Sequence, residues 1–115
     1  MAPRSQFVRL NDILENIAAV ADMIEGVDLS GYRRDIKLRR AVERWVEIIS
    51  EASRHIPMQM KVDFPEHPWE EIASIGNLLR HHYERIDDSI MWKIASRSLP
   101  LLRPTIIAMI EKTKP

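Results

Sequence analysis

Hydrophobic residues recur every three or four positions along most of the chain, and no stretch shows the strict alternation of a half-buried strand. A repeat near 3.6 residues places apolar side chains on one face of an α-helix. Only three glycines interrupt the 115 residues. The pattern therefore predicts an all-α protein.

The first two predicted helices cover residues 5–25 and 35–56, with a loop at residues 27–32 between them. Gly26 ends the first helix, because glycine readily adopts the left-handed conformation that follows a helix. Pro57 ends the second, because proline disfavours helical geometry in the residue before it. The apolar face of the first helix is expected to comprise Phe7, Leu10, Leu14, Ile17, Ala21 and Ile24.

The third predicted helix begins at Pro68, since the first residue of a helix tolerates proline. Glu70 and Glu71 then lie near the positive end of the helix dipole, where negative charge is favourable. This helix should end near Ile86, because Asp87 is a suitable N-cap for a fourth helix.

The fourth predicted helix contains Pro100 and Pro104. Each proline removes a backbone donor, so a bend or a restart is expected near Ser98. Together the elements predict an antiparallel four-helix bundle, with residues 1–115 forming a single domain.

Composition restricts the kinds of chemistry that are available. The chain has no cysteine, which excludes disulfides and thiolate chemistry and favours a reducing compartment. It shows neither the apolar core of a secretory signal nor an apolar run near the roughly 20 residues of a membrane span, so a cytoplasmic protein is expected. Seventeen basic residues balance seventeen acidic ones, so phosphate binding must come from local patches.

One basic patch follows the second predicted helix at intervals of four, three and four residues, and comprises Arg33, Lys37, Arg40 and Arg44. A ridge of closely spaced cations attracts a nucleic-acid backbone. The same stripe continues into Glu47 and Glu51, which is more typical of a solvated face with local ion pairs. The sequence is compatible with both interpretations.

The end of the third predicted helix concentrates the side chains that are suited to chemistry. Arg80 can hold a phosphate, and His81 and His82 can exchange protons near neutral pH. Asn77 and Tyr83 add hydrogen-bonding groups for a phosphate or sugar. This set suits metal-free RNA cleavage by the RNA's own 2'-hydroxyl, although it also suits a polar face beside a partner helix.

A zinc site is not expected. Such a site would have to combine His55, His67, His81 and His82. Adjacent histidines point about 100° apart on a helix, and none of the spacings matches a helical zinc motif. No cofactor is expected either.

Residues 75–83 read Ile-Gly-Asn-Leu-Leu-Arg-His-His-Tyr, and Asp87 and Trp92 follow. This run resembles the motif of the HEPN superfamily, specifically the HepT-type ribonuclease toxins. The resemblance covers nearly the whole chain, through further similar segments at residues 40–44, 48–52, 65, 68–72 and 99–102.

The resemblance implies an all-α homodimer with a composite site at the dimer cleft and metal-independent endoribonuclease activity. It also implies a toxin–antitoxin module whose antitoxin is a minimal nucleotidyltransferase of the MNT type. In HepT-like systems that antitoxin uses ATP to place AMP on the motif tyrosine.

Matched residue by residue, the motif histidine falls on His81 and the motif tyrosine on Tyr83. The motif asparagine falls on Asn77, whereas Gly76 occupies the position of the motif arginine. Arg80 lies one turn further along the same face, and its side chain is expected to lean back over Gly76. The first interpretation is therefore a ribonuclease in which Arg80 replaces that arginine.

In this interpretation Arg80 clamps the phosphate and His81 is the general acid or base. Asn77 orients the substrate or His81, and His82 contacts the substrate phosphate. Tyr83 also contacts phosphate and accepts AMP. The alternative is a non-catalytic HEPN dimer that binds RNA or nucleotide, or serves as the partner subunit of a nucleotidyltransferase.

Overall fold

The structure is a computed structural model that describes residues 5–82, 84 and 86–114. Its helices are α1 (Gln6–Ile24), α2 (Leu29–Arg34), α3 (Ile36–Ser53), α4 (Met58–Lys61), α5 (Trp69–His81), α6 (Asp88–Lys93) and α7 (Leu99–Thr113). The described residues contain no strand, so the predicted all-α class is confirmed. None of their helices is both long and apolar enough to cross a bilayer.

Polar side chains start three helices where the sequence predicts helix starts. Ser5 caps α1. The Asp35 Oδ1 atom accepts a hydrogen bond of 3.0 Å from the N–H of Leu38, and Asp87 Oδ1 accepts one of 2.7 Å from the N–H of Ser89. Each cap satisfies a backbone donor that has no partner within its helix, which explains why these starts are readable from sequence.

The predicted loop at residues 27–32 is partly wrong, because α2 begins inside it. Asp28 Oδ1 accepts a hydrogen bond of 2.8 Å from the N–H of Gly31 and so caps this short helix. Tyr32 is fully buried, and its ring centroid lies 5.5 Å from that of Trp92. The burial of one aromatic side chain thus anchors α2 in the core. The helix has only six residues, which is too short to show an apolar period.

The predicted end of the third helix near Ile86 is also wrong, because α5 ends at His81. His82 has φ −140° and ψ 39°, which lie outside the helical region, although its N–H still bonds to the carbonyl of Leu78 at 2.8 Å. The candidate motif therefore straddles the end of a helix instead of lying within one. Tyr83 falls outside the described residues.

A π-helical segment, Ile94–Ser98, connects α6 to α7. Pro100 follows in the first turn of α7, and Pro104 lies inside that helix. Proline lacks an N–H and its ring crowds the carbonyl four residues earlier, which disfavours a regular α-helix at this point. The helix thus changes type where an interruption was predicted, near Ser98, and the bend itself stays a prediction.

The helix α1 occupies the centre of the molecule, since it packs on both α3 and α7, whereas α5 packs mainly on α3. Its fully buried residues are Leu10, Ile13, Ile17 and Val20. Ala21, expected on the apolar face, is exposed, because two neighbouring helices displace the buried face from the predicted stripe. A cavity of about 460 Å³ separates α5 from α7, so the closed four-helix bundle stays a prediction.

Tyr32→Phe should preserve the fold and leave the free energy of unfolding unchanged or about 1 kcal/mol higher. The Tyr32 hydroxyl is buried without a hydrogen-bond partner among the described residues, and such a group costs stability. Urea unfolding at neutral pH measures the difference. A loss of more than about 1 kcal/mol would show that the hydroxyl has a partner.

Tyr32→Phe should also change how the free energy of unfolding depends on pH. Burial, and to a lesser extent the carboxylates of Glu43 and Asp88, raises the pKa of Tyr32 above its ordinary value of about 10. The unfolded chain therefore releases this proton at a lower pH than the folded protein, so the tyrosine's contribution is complete below about pH 10 and falls as pH rises. Tyr32→Phe should remove that fall in urea unfolding above pH 10.

Candidate active site

The helix α5 carries the candidate motif on its last turns. Glu70 and Glu71 lie in its first turn and Arg80 and His81 in its last, so both ends complement the helix dipole. Arg80 and His81 are exposed, as is Asn77 one turn earlier. The exposed end of α5 thus offers a cation and a proton-transfer group in successive positions of the helix.

Gly76 fixes the position of this helix. Its N–H donates a hydrogen bond of 3.0 Å to Ser50 Oγ on α3, and the Ser50 hydroxyl donates one of 2.9 Å to the carbonyl of Ala73. A Cβ atom at position 76 would lie 2.5 Å from Ser50 Oγ and 2.9 Å from Ser50 Cβ. Only glycine permits so close an approach of the two helices.

This contact corrects the sequence interpretation of Gly76. The space beside Gly76 was expected to receive the side chain of Arg80, but Ser50 fills it. Arg80 instead points to α3, where its Nη1 atom lies 3.4 Å from Glu51 Oε2. Glu51 also approaches His55, with 3.7 Å between Oε1 and the histidine Nε2.

The ion pair between Arg80 and Glu51 is partly exposed, with 35% and 52% of the two side chains accessible to solvent. Exposed pairs of this kind contribute about 0–1 kcal/mol, because water screens them and both side chains lose freedom. An incoming phosphate can therefore replace Glu51 at little cost. The pair therefore positions Arg80 but contributes little to the stability of the fold.

Arg80 lines a surface groove that runs over α1 and α3 and also includes Arg9, Arg44 and Glu47. This groove joins the candidate motif to one end of the basic ridge, because Arg44 belongs to both. Arg44 pairs with Glu47 at 3.0 Å. The groove therefore contains three arginines, and two of them, Arg44 and Arg80, each pair with a glutamate.

The basic ridge is exposed along its length, and its charges are only partly neutralised. Arg40 pairs with Glu43 at 3.0 Å, and Arg33 donates a hydrogen bond to Ser89. No ion pair of Lys37 occurs in the described part of the chain. The local ion pairs support a solvated face, and the exposure of all four cations supports a surface that can bind a nucleic-acid backbone.

Asn77 lies three residues before Arg80 on α5 and lines another groove, formed with Arg54, Lys61 and Glu70. Burial lowers the pKa of Lys61 from its ordinary value. The structure brings Arg80 and Arg44 together, but it places Asn77 among cations that the sequence did not single out.

The family model described as "Ribonuclease HepT-like" matches residues 13–109 of this chain. The chain belongs to the HepT-like family. It is 34% identical to "Putative RNase MJ1380" of Methanocaldococcus jannaschii, over 92% of this chain and 97% of that protein. It is 35% identical to "Probable ribonuclease HepT" of Thermococcus cleftensis, over 87% and 91% of the two chains. No solved structure gives a significant match.

Two histidines of this HepT-like chain lie away from the motif. His67 Nε2 is 2.6 Å from the hydroxyl of Thr105 and so links the segment before α5 to α7. His55 follows α3 and lies beside Glu51. Within the described residues, no group of three or more histidine, aspartate or glutamate side chains is arranged to hold a metal ion.

Sequence reasoning missed the roles of Ser50 and Glu51 in this HepT-like site. Ser50 and Ser53 are both buried on α3, among larger apolar side chains. Small residues on the buried face of a helix indicate that another helix approaches closely, and this signal was available. Nothing local in the sequence links Glu51 to Arg80, because 29 residues separate them.

Gly76→Ala should lower the free energy of unfolding by about 1–3 kcal/mol, because the new methyl group overlaps Ser50. In an exposed helix the same change would raise stability by about 0.5–1 kcal/mol, so the expected sign is opposite to helix propensity. Ser74→Ala, at an exposed position of α5, is the control and should change stability by less than about 0.5 kcal/mol. Urea unfolding compares them, and equal stability of the two variants would contradict the close contact.

Proposed function

We propose that this chain is a metal-independent endoribonuclease, the toxin of a toxin–antitoxin module, acting as a homodimer with a composite site. The observation that carries the proposal is that Arg80 and His81 are exposed in successive positions at the end of α5 in a HepT-like chain. The names of the relatives, which are called ribonucleases, support the substrate class.

The proposed reaction is transesterification within the RNA. A base removes the proton of the 2'-hydroxyl, the resulting oxygen attacks the neighbouring phosphorus, and a 2',3'-cyclic phosphate forms. The bond to the 5'-oxygen breaks, and an acid protonates that oxygen as it leaves. His81 from the two subunits supplies base and acid, and Arg80 stabilises the charge on the phosphorane.

Arg80 is suited to this role because its present partner is weakly bound. Exchange of Glu51 for a phosphate would convert an exposed ion pair into a charge-assisted contact with the substrate. His82 and Asn77 contact the substrate on either side of His81. Asn77 shares its groove with Arg54 and Lys61, which offers a second path for RNA phosphates.

The basic ridge extends the proposed RNA path along α3. Arg44 lies in the same groove as Arg80, Arg40 and Lys37 follow toward the N-terminal end of that helix, and Arg33 lies on α2. Arg40 and Arg44 each pair with a glutamate three residues away, and such pairs on a helix surface contribute only a few tenths of a kcal/mol. Phosphates can therefore compete for these cations.

The proposed partner is a nucleotidyltransferase antitoxin of the MNT type. The Tyr83 hydroxyl attacks the α-phosphorus of ATP, loses its proton and releases pyrophosphate, which leaves AMP on the tyrosine. The added phosphate is negatively charged and lies two residues from His81 in sequence, so it would repel the RNA phosphate.

One observation favours the non-catalytic alternative. Gly76 stands at the position of the motif arginine, and Ser50 leaves no room for a side chain there. If Arg80 does not replace that arginine, the chain would bind RNA or nucleotide, or the nucleotidyltransferase, without cutting RNA.

His81→Ala should lower RNA cleavage in the presence of EDTA by about 10²–10⁴-fold, because a positioned proton-transfer group is lost. Arg80→Ala should lower it by about 10²–10³-fold through the loss of charge stabilisation. Cleavage rates of a defined RNA under single-turnover conditions measure both effects. Lys93→Ala removes an exposed cation of α6 that lies outside the motif and outside both grooves, and it should retain the wild-type rate.

The outcomes separate the two candidate functions. Wild-type protein that binds RNA without cleaving it would establish the non-catalytic alternative. Cleavage that is unchanged in Arg80→Ala but lost in His81→Ala would show that the chain is a ribonuclease in which Arg80 does not replace the motif arginine.

Incubation with a cognate nucleotidyltransferase and ATP should add one adenylyl group to Tyr83 and abolish RNA cleavage. Peptide mass spectrometry locates the modification, and Tyr83→Phe is the control that should remain unmodified. A modified protein that still cleaves RNA at the wild-type rate would disprove neutralisation by this route.

A further inference from the structure

The groove that contains Arg80 also contains a histidine that the proposed reaction does not use. His55 lies outside the motif in sequence, but it lines this groove. Its carbonyl accepts a hydrogen bond of 2.8 Å from Gln6 Nε2, which ties the backbone of His55 to α1. The His55 side chain is 47% exposed, so a solute can reach the imidazole. The charged residues that line the same groove are Arg9 and Asp12 of α1, Arg44, Glu47 and Glu51 of α3, and Arg80 of α5.

Glu51 contacts both His55 and Arg80. Its Oε1 atom lies 3.7 Å from His55 Nε2, and its Oε2 atom lies 3.4 Å from Arg80 Nη1. Both distances exceed the roughly 2.7–3.2 Å of a good hydrogen bond, and water reaches the exposed carboxylate. One anionic group thus holds two phosphate-binding groups weakly, one with each oxygen.

Arg9 supplies a further cation to this groove. It lies on α1 and is partly exposed. In the part of the chain that the structure describes, Arg9 forms no ion pair, whereas Arg44 pairs with Glu47 at 3.0 Å. A phosphate can therefore contact Arg9 without breaking an existing pair.

We propose that His55 and Arg9 bind the RNA phosphate next to the one that Arg80 holds, and that Glu51 closes this site in the free protein. His55 and Arg80 lie within reach of one carboxylate, a separation that suits successive phosphates of a single strand. Entering RNA displaces Glu51, and its two phosphates take over the contacts with Arg80 and His55. The inference rests on the proposed function, because it adds a binding position for the same substrate.

Glu51→Gln should bind single-stranded RNA about three- to tenfold more tightly than wild type, because the competing charge is lost while the side chain keeps its size. Fluorescence anisotropy with a labelled 2'-O-methyl RNA measures the affinity, since this probe lacks the 2'-hydroxyl that the proposed reaction needs. Glu15→Gln makes the same charge change at an exposed position of α1 outside the groove, and it should stay within about twofold of wild type. Equal affinities of the two variants would overturn the inference.

The gain in Glu51→Gln should depend on the groups that Glu51 holds. In a chain that carries both Arg80→Ala and His55→Ala, adding Glu51→Gln should change the affinity no more than adding Glu15→Gln does. The same gain in this background would show that Glu51 acts only through overall charge, which would overturn its role as a competitor. Circular dichroism checks that each variant keeps its helices.

Salt and pH identify the direct phosphate contacts. Arg9→Ala should reduce the slope of log affinity against log salt by about one, because one phosphate contact is lost. Wild-type affinity should rise as pH falls from about 8 to about 6, since the imidazole becomes a cation, and His55→Ala should lose part of that rise. An unchanged salt slope in Arg9→Ala, together with an unchanged pH dependence in His55→Ala, would overturn the phosphate site.

Titration calorimetry of Glu51→Gln with AMP separates an RNA strand from a free nucleotide. The RNA should bind far more tightly than AMP, because a strand fills both phosphate positions at once. Equal affinities for AMP and RNA would overturn the assignment to a strand and give the site to a nucleotide.

The binding experiments are independent of the proposed reaction. Wild-type protein that binds RNA with these dependences but does not cleave it would support the phosphate site and contradict the ribonuclease. Cleavage by wild type, with RNA binding unaffected by Glu51→Gln, Arg9→Ala and His55→Ala, would overturn the phosphate site and leave the ribonuclease intact.

Discussion

The contact between Gly76 and Ser50 is the constraint on which the candidate site depends. It joins α5 to α3 through two hydrogen bonds of 3.0 and 2.9 Å and leaves no space for a side chain at position 76. Since α5 packs mainly on α3, this contact sets where Arg80 and His81 emerge. The position of the candidate chemistry thus follows from a single close approach of two helices.

The same contact gives the departure from the family motif a physical cause. An arginine at position 76 cannot coexist with Ser50 at this distance, so the cation of the proposed reaction would have to come from elsewhere on the helix. Arg80, one turn later, is free of that restriction and rests against Glu51 in an exposed pair. The close packing of Gly76 in the middle of α5 is thereby linked to the proposed role of Arg80 at its end.

The other side of α5 lacks a comparable anchor. It faces the cavity with half-buried isoleucines, and the opposite lip carries the exposed Leu101. The helix is thus fixed along one face and open along the other. The homodimer of the proposed function would supply the pair of histidines that the proposed reaction requires.

The sequence by itself determined the features that depend on neighbours along the chain. The period of apolar residues, the caps at Ser5, Asp35 and Asp87, and the position of the motif are local patterns. Helix ends were less predictable, as the early end of α5 at His81 shows, because backbone geometry there depends on packing as well as propensity. The family resemblance, which the family match confirmed, also came from sequence.

Only the tertiary structure decided how distant residues meet. Ser50 and Gly76 are 26 residues apart, and Glu51 and Arg80 are 29 apart, so no local pattern connects them. The burial of Tyr32 in a segment expected to be a loop was equally hidden, because one aromatic residue has no period. Sequence placed a histidine and an arginine on one helix, and packing against α3 decided which space each side chain could occupy.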